Sequence, residues 1–258
     1  MRHGDFAGRV VLVTGASRGI GYAVADGFLA AGAEVVVLAA SDRIHEAART
    51  LSEAHGRPVR ALACDIADRR AVDRALAPLS SVDILINNAG LEAITPIEDT
   101  DDEVADTFRR IVEINILGTY HVTRAVLPVM GDGGRIVLTS SIWGHTAVAE
   151  FSAYCATKHA NIGFMRALAR ELAPRTITVN AVCPGWVKTD AAMRSLAVMA
   201  ARAGRPEREL LADIVGAQAL GGLMEPADVV SAYLYLASDA AGNITGQTLT
   251  VDRGEVMA

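Results

Sequence analysis

Tyr154 and Lys158 stand four residues apart in Ser-Ala-Tyr-Cys-Ala-Thr-Lys-His, and Ser141 lies thirteen residues before the tyrosine in Thr-Ser-Ser-Ile-Trp-Gly. Residues i and i+4 share one face of a helix, so the phenol and the ammonium would stand side by side. A free phenol titrates at about pH 10, and a neighbouring positive charge favours its ionised form. The pair means little alone and gains meaning from a second feature, the turn Thr14-Gly15-Ala16-Ser17-Arg18-Gly19-Ile20-Gly21. Glycines there let the chain turn sharply and let its backbone approach a pyrophosphate, and a helix starting at Gly19 offers free N–H groups and partial positive charge. A phosphate cradle and an acidified phenol on one chain point to hydride transfer between a nicotinamide cofactor and an alcohol or carbonyl.

These side chains need strands and helices to carry them. Apolar, β-branched runs predict strands over 9–14, 34–39, 59–63, 82–87, 134–140, 176–182 and 248–251. Amphipathic stretches predict helices over 19–31, 42–55, 68–79, 152–173 and 226–238, the first ended by Gly32 and the last with Pro226 in its first turn. A helical region over 101–129 carries Gly118 and Pro128, which bend or end parts of it, and another over 189–217 breaks near Gly204-Arg205-Pro206. Strands apolar on both faces belong to a sheet covered on both sides. Their alternation with helices predicts one α/β domain over 1–258, a doubly wound parallel sheet with helices on both faces. The segment 188–223 reads as a helical insertion above the carboxyl ends of the strands, where such sheets bind ligands.

Composition narrows the function further. The chain has 258 residues, of which 51% are hydrophobic, enough for a substantial core. Its net charge of −6 offers no basic face, so nucleic acid is excluded as a partner. No stretch is long and apolar enough to span a membrane, and residues 1–6 lack the apolar core of a signal peptide. Cys64, Cys155 and Cys183 are odd in number and lack metal-ligand spacing, so they read as reduced thiols in a cytoplasmic protein that holds no metal. Cys155 reads as a small buried filler.

Further motifs follow in order: Asn87-Asn88-Ala89-Gly90, Asn115, Ser141, Tyr154, Lys158, Cys183-Pro184-Gly185-Trp186-Val187-Lys188-Thr189 and Thr245-Gly246-Gln247. With the Gly-x-x-x-Gly-x-Gly turn, this order and spacing resembles the short-chain dehydrogenase/reductase family along essentially the whole chain. The resemblance implies a Rossmann-type fold and an oxidoreductase acting on a secondary alcohol or ketone with NAD(P). It implies that Tyr154 exchanges a proton with the substrate oxygen, that Lys158 supports it and binds the nicotinamide ribose, and that Ser141 rather than Ser140 stabilises the substrate oxygen. Asn115 would bend its helix and hold a water behind Lys158. Gly15, Ser17, Arg18, Gly19, Ile20 and Gly21 would cradle the pyrophosphate. Asn87, Asn88, Ala89 and Gly90 would pass by the adenosine ribose, and Asp65 with Ile66 would meet the adenine. Pro184, Gly185, Val187 and Thr189 would line the nicotinamide side. For Asp65 a plain helix cap is the competing reading.

The carboxylate that would accept a ribose 2′-hydroxyl and repel a 2′-phosphate is expected at position 39, which is alanine. Arg18, Ser41 and Arg43 offer donors instead, so NADP(H) is favoured, with NAD(H) as the alternative. The stretch 177–189 is similar to ketoacyl and polyketide ketoreductases, and the long insertion with Trp186 is similar to 3-hydroxybutyrate dehydrogenases. The latter hold a small carboxylate with Gln, His and Lys, where this chain has Glu92, Trp143 and Phe151. That set disfavours a small anionic acid and suits a larger, neutral, cyclic or aromatic substrate. A 3-oxoacyl thioester or 3-hydroxybutyrate-type substrate is the alternative. A regulator that kept the fold and lost the chemistry should lack one of Asn115, Ser141, Tyr154 or Lys158, and all four are present. The resemblance also implies a homodimer or homotetramer, paired partly through the helix that carries Tyr154.

Overall fold

The computed structural model describes residues 5–257. The reading of residues 1–6 as lacking a signal peptide falls mostly on residues 1–4, outside the described residues. Seven strands form one parallel sheet: β1 (Val10–Thr14), β2 (Glu34–Ala39), β3 (Arg60–Ala63), β4 (Ile84–Asn87), β5 (Arg135–Thr139), β6 (Thr178–Pro184) and β7 (Thr248–Val251), in the order β3-β2-β1-β4-β5-β6-β7. The chain runs outward from β1 to β3, then crosses back to β4 beside β1, so the winding direction reverses between β1 and β4. A crevice opens at that reversal, beyond the carboxyl ends of both strands.

One apolar layer joins Val11, Val13, Val35 and Val37 to α1 (Gly19–Ala30) and α2 (Arg43–His55). The opposite layer joins Leu12, Leu38, Leu85 and Ile136 to α3 (Arg69–Leu76), and to α6 (Ser152–Glu171) through Ile162 and Met165. The sheet is therefore buried on both faces, as its uniformly apolar strands require. Among the described residues no helix is long and apolar enough to cross a membrane. Cys64, Cys155 and Cys183 are buried and unpaired.

The main departure from the sequence reading lies within 101–129. It divides into α4 (Asp102–Val112), a π-helical turn at Glu113–Gly118 and α5 (Thr119–Val126), then a short tight turn at Leu127–Val129. Gly118 faces Ile66 so closely that a Cβ would meet its Cγ1 at 2.5 Å. The strand expected to end at 182 runs on to Pro184, because Pro184 pairs with Val251 of β7. The segment 189–217 forms α7 (Asp190–Ala203) and α8 (Glu207–Gly216), separated at Gly204. The last helix opens with a tight turn at Pro226–Val229 and continues as α9 (Val230–Ala237).

The turn after β1 uses its glycines unequally. Gly15 and Gly19 adopt φ of +68° and +59°, a region open mainly to glycine. Gly21 is needed for space: a Cβ there would come within 2.4 Å of the Gly15 carbonyl oxygen and 2.5 Å of the Asn88 amide. Gly21→Ala is therefore expected to lower the unfolding free energy by about 1–3 kcal/mol, read as a lower denaturant midpoint. An unchanged midpoint would show that the turn tolerates a methyl group.

Candidate active site

Ser141 leaves β5 in extended backbone and caps the tight turn Ile142–Gly144, its hydroxyl accepting from the Trp143 N–H at 3.2 Å. The start of α6 is fixed from the side by Thr95. The Thr95 hydroxyl accepts from the Ala153 N–H at 3.1 Å, and the Thr95 carbonyl accepts from the Ser152 hydroxyl at 3.0 Å. Tyr154, in the first turn of this helix, thereby lies beside the Ser141 hydroxyl on the wall of one cavity.

Lys158 follows one turn later and is buried, 4% exposed. Its Nζ donates to the Thr139 carbonyl at 2.8 Å and lies 5.2 Å from the centre of the Tyr154 ring. The ammonium by itself does not acidify the phenol in these surroundings. Burial, and secondarily the Glu92 carboxylate, push the Tyr154 pKa well above its ordinary value, against a lowering hydrogen bond from Ser141. Burial pulls Lys158 down to about 8, opposed by Glu92 and Cys183. In the protein alone the phenol therefore holds its proton at neutral pH, the state that can protonate a carbonyl oxygen. Oxidation of an alcohol needs further positive charge nearby.

Asn115 sits in the π-helical turn, fully buried. Its amide donates to the Leu91 carbonyl and to the Thr157 hydroxyl, both at 3.0 Å, and accepts from the Leu91 N–H at 2.7 Å. The bend thus clamps the loop after β4 to α6. Its side chain meets Leu91 and Thr157, whereas the Lys158 amine meets Thr139.

The crevice at the β1/β4 reversal is a cleft of about 580 Å³. Of the expected cofactor contacts, Gly15, Ser17, Arg18, Gly19, Ile20, Ser41, Asp65, Ile66, Asn88, Ala89, Gly90, Tyr154, Lys158 and Thr189 line it. Asn87 does not: it is buried, and its amide donates to the Thr123 hydroxyl at 2.9 Å. Gly21 packs beneath the turn. Asp65 does not cap α3, which is capped by Asp68; its carboxylate accepts from the Ala67 N–H and pairs with Arg110. Arg110 lines the cleft and was not anticipated, because nothing in the sequence links it to Asp65 across 45 positions. No side chain caps α1, whose N-terminus opens on the cleft, so its first N–H groups are free for an anion.

Pro184, Gly185 and Val187 line an adjoining cavity of about 90 Å³, shared with Ser141, Tyr154, Glu92, Trp143 and Trp186. Thr189 borders both spaces, and its hydroxyl caps α7 by accepting from the Ala192 N–H at 3.2 Å. The Val187 main chain is tied in turn: its carbonyl accepts from the Thr189 N–H at 2.8 Å. Phe151 is a correction. It is fully buried behind Trp143, with ring centres 5.1 Å apart, and it shapes the cavity wall without facing the cavity. Ile142 and Ala192 complete the wall and were not anticipated, since apolar residues of their kind fill the whole core. The floor of α7 is latched by Arg202, whose guanidinium donates to the Glu150 carboxylate at 2.9 and 2.6 Å.

A doubly wound sheet with a phosphate turn and a serine, tyrosine and lysine at the meeting of two cavities defines a nicotinamide-dependent oxidoreductase. The chain belongs to the short-chain dehydrogenase/reductase family of nicotinamide-dependent oxidoreductases. Residues 15–255 match a family model described as enoyl-(acyl carrier protein) reductase. The 3-oxoacyl-[acyl-carrier-protein] reductase FabG of Salmonella typhimurium is 36% identical, covering 98% of this chain and 99% of that protein. The D-beta-hydroxybutyrate dehydrogenase of Cupriavidus necator is 32% identical, over 96% and 98%. Among solved structures, carveol dehydrogenase from Mycobacterium avium in complex with NAD superposes with a TM-score of 0.88 at 30% identity, over 98% and 99% of the two chains. L-sorbose reductase from Gluconobacter frateurii, complexed with NADPH and L-sorbose, gives 0.89 at 29% identity over both full chains.

Because the Glu92 carboxylate opposes the Tyr154 phenolate, its removal lowers the tyrosine pKa. In Glu92→Gln the rising alkaline limb of the kcat/KM profile for alcohol oxidation shifts to lower pH by about half a unit or more. A limb that stays in place or moves upward contradicts this electrostatic coupling.

Proposed function

We propose that the protein interconverts a medium-sized secondary alcohol and its ketone, with a neutral cyclic or aromatic body and no carboxylate of its own, using NADP(H) in preference to NAD(H). The observation that carries this reading is the position of Tyr154, which borders both the cofactor cleft and the small cavity walled by Trp143 and Trp186. The cavity offers a carboxylate at Glu92 and no lysine or arginine, so an anionic substrate finds no partner there.

The cleft fits the dinucleotide on this chain's own features: uncapped N–H groups at the start of α1, and a Gly15 whose Cβ would lie 2.7 Å from the Ala89 backbone. When bound, the nicotinamide supplies the hydride in reduction and accepts it in oxidation. Ser141 and Tyr154 hold the substrate oxygen from one side. Tyr154 delivers its proton to that oxygen as it becomes an alkoxide, and Lys158 stands behind the phenol to stabilise the charge left on it. Trp143 and Trp186, edge to face at 6.0 Å, exclude water from the reacting carbon.

Preference for NADP(H) rests on Ala39, where a repelling carboxylate would otherwise stand, and on Arg18, Ser41 and Arg43 lining the cleft. Arg18 pairs loosely with Asp190 at 3.8 Å and is half exposed, so a 2′-phosphate can recruit it. The segment 188–223 acts as the cover of the substrate cavity. A second copy of the chain fits the exposed apolar residues Phe108 on α4, Leu117 in the π-helical turn and Tyr120 on α5, in a symmetric dimer or tetramer in the cytoplasm. A 3-oxoacyl thioester is the second reading, favoured by the 36% identity to FabG along nearly the whole chain.

The test follows reduced-nicotinamide absorbance over cyclic, aromatic, 3-hydroxybutyrate and acyl-thioester substrates with both cofactors. Cyclic or aromatic ketones should react with NADPH about tenfold or more better than with NADH. Arg18→Ala should raise KM for NADPH by about tenfold and that for NADH by less than about twofold. A preference for NADH in the wild type would overturn the cofactor reading, and turnover confined to thioesters or 3-hydroxybutyrate the substrate reading.

A further inference from the structure

Glu92 is a carboxylate in an unusual place. It lies two residues past Gly90, at the carboxyl end of β4, and borders the cofactor cleft and the substrate cavity together. Burial raises the Glu92 pKa, and Ser195, buried on the inner face of α7, lies beside the carboxylate and opposes that rise. Among the described residues no lysine or arginine nitrogen reaches ion-pair distance; Lys158 and Arg194 act on it only from further away. An ionised carboxylate can accept about four hydrogen bonds and donates none. The carboxylate thus borders a cavity lined by the hydroxyls of Ser141 and Tyr154 and by the apolar side chains of Ile142, Trp143, Trp186 and Ala192.

We propose that Glu92 is a specificity-determining residue that selects substrates bearing a hydrogen-bond donor, a hydroxyl or an ammonium, on the carbon next to the one that reacts. The small cavity, about 90 Å³, holds Glu92 on the same wall set as Ser141 and Tyr154. A donor that reaches the carboxylate while the carbonyl oxygen lies on Ser141 and Tyr154 is thus only a bond or two from the reacting carbon. An unsubstituted ketone would strip water from the carboxylate and return nothing, and sites built to bond a substrate O–H or N–H reject analogues that lack it. An anionic substituent would meet the carboxylate directly and be repelled. Ser195 comes from α7, so the helix that borders the cavity also steadies the carboxylate.

This inference rests on the carbonyl-reductase reading, and the test separates the two. The probes are cyclohexanone, its α-hydroxy and α-dimethylamino derivatives and its α-carboxylate, each with NADPH, on the wild type, Glu92→Gln and Glu92→Leu. In the wild type, kcat/KM for the two donor-bearing ketones should exceed that for cyclohexanone by about tenfold or more, and the α-carboxylate should be the poorest. Glu92→Leu should bring the donor preference to within about twofold. Glu92→Gln, which still accepts a hydrogen bond without the charge, should keep the preference for the hydroxyl and lose that for the ammonium. Ratios within one variant cancel losses of folded protein, and fluorescence titration with NADPH checks that each variant is folded. Equal use of all ketones by the wild type, or a donor preference intact in Glu92→Leu, would overturn the proposal while leaving the reductase reading standing. No turnover of any ketone despite NADPH binding would defeat that reading and this proposal with it.

Discussion

The structure is organised around a buried ammonium. Lys158 is 4% exposed, and among the described residues the hydrogen-bond acceptor of its amine is the Thr139 carbonyl at 2.8 Å. Removing a charge from water is costly unless it is paired or well hydrogen-bonded, and its lowered pKa of about 8 is the sign of that cost. The amine stays in place because everything around it is fixed first. β5 delivers the Thr139 carbonyl from its place between β4 and β6 in the parallel sheet, and α6 carries the lysine along its inner face. The Ser140 hydroxyl donates to the Lys158 carbonyl at 3.0 Å, tying strand end to helix.

A chain of buried hydrogen bonds links that strand end to the phosphate turn. The Tyr233 phenol, fully buried on α9, donates to the Thr139 hydroxyl at 2.8 Å, which donates to the Asn88 side-chain amide oxygen Oδ1 at 3.2 Å. The Asn88 amide donates to the Thr14 and Gly15 carbonyls at 3.0 and 3.4 Å, and the Thr14 hydroxyl accepts the Asn88 and Ala89 N–H groups, both at 3.0 Å. Four separate elements thereby share one network, in which each member satisfies the next. The phosphate turn and the Ser141–Tyr154–Lys158 group are thus held at a fixed spacing. The part built on weaker ties is the cover, α7 and α8, latched by the exposed Arg202–Glu150 and Arg18–Asp190 pairs.

The sequence made the catalytic residues legible because chemistry restricts their types and spacing. The strands were legible because burial on both faces restricts them to apolar runs; β2 and β7 begin and end where the pattern places them. What it hid depends on tertiary contacts. The π-helical turn at Asn115 follows from Gly118 meeting Ile66 and from an amide reaching Leu91, 24 positions away. Phe151 reads as a cavity residue by its match to the 3-hydroxybutyrate dehydrogenases, yet it is fully buried against Trp143 and does not line the cavity. Proximity of Lys158 to Tyr154 was legible, but not that burial would outweigh it and raise the phenol's pKa. Tyr233 and Arg110 carry no local signal, since each acts on a partner far away in the chain.

The central claim is that the Tyr154 phenol supplies the proton while the rest of the site binds and positions. Its most direct test compares single-turnover ketone reduction by the wild type and Tyr154→Phe, each saturated with NADPH, alongside the dissociation constant for NADPH. The account predicts a dissociation constant changed by less than about threefold and a hydride-transfer rate reduced by about a hundredfold or more. A Tyr154→Phe rate within about tenfold of the wild type, at equal NADPH binding, would contradict it and place the proton donor elsewhere in the cavity.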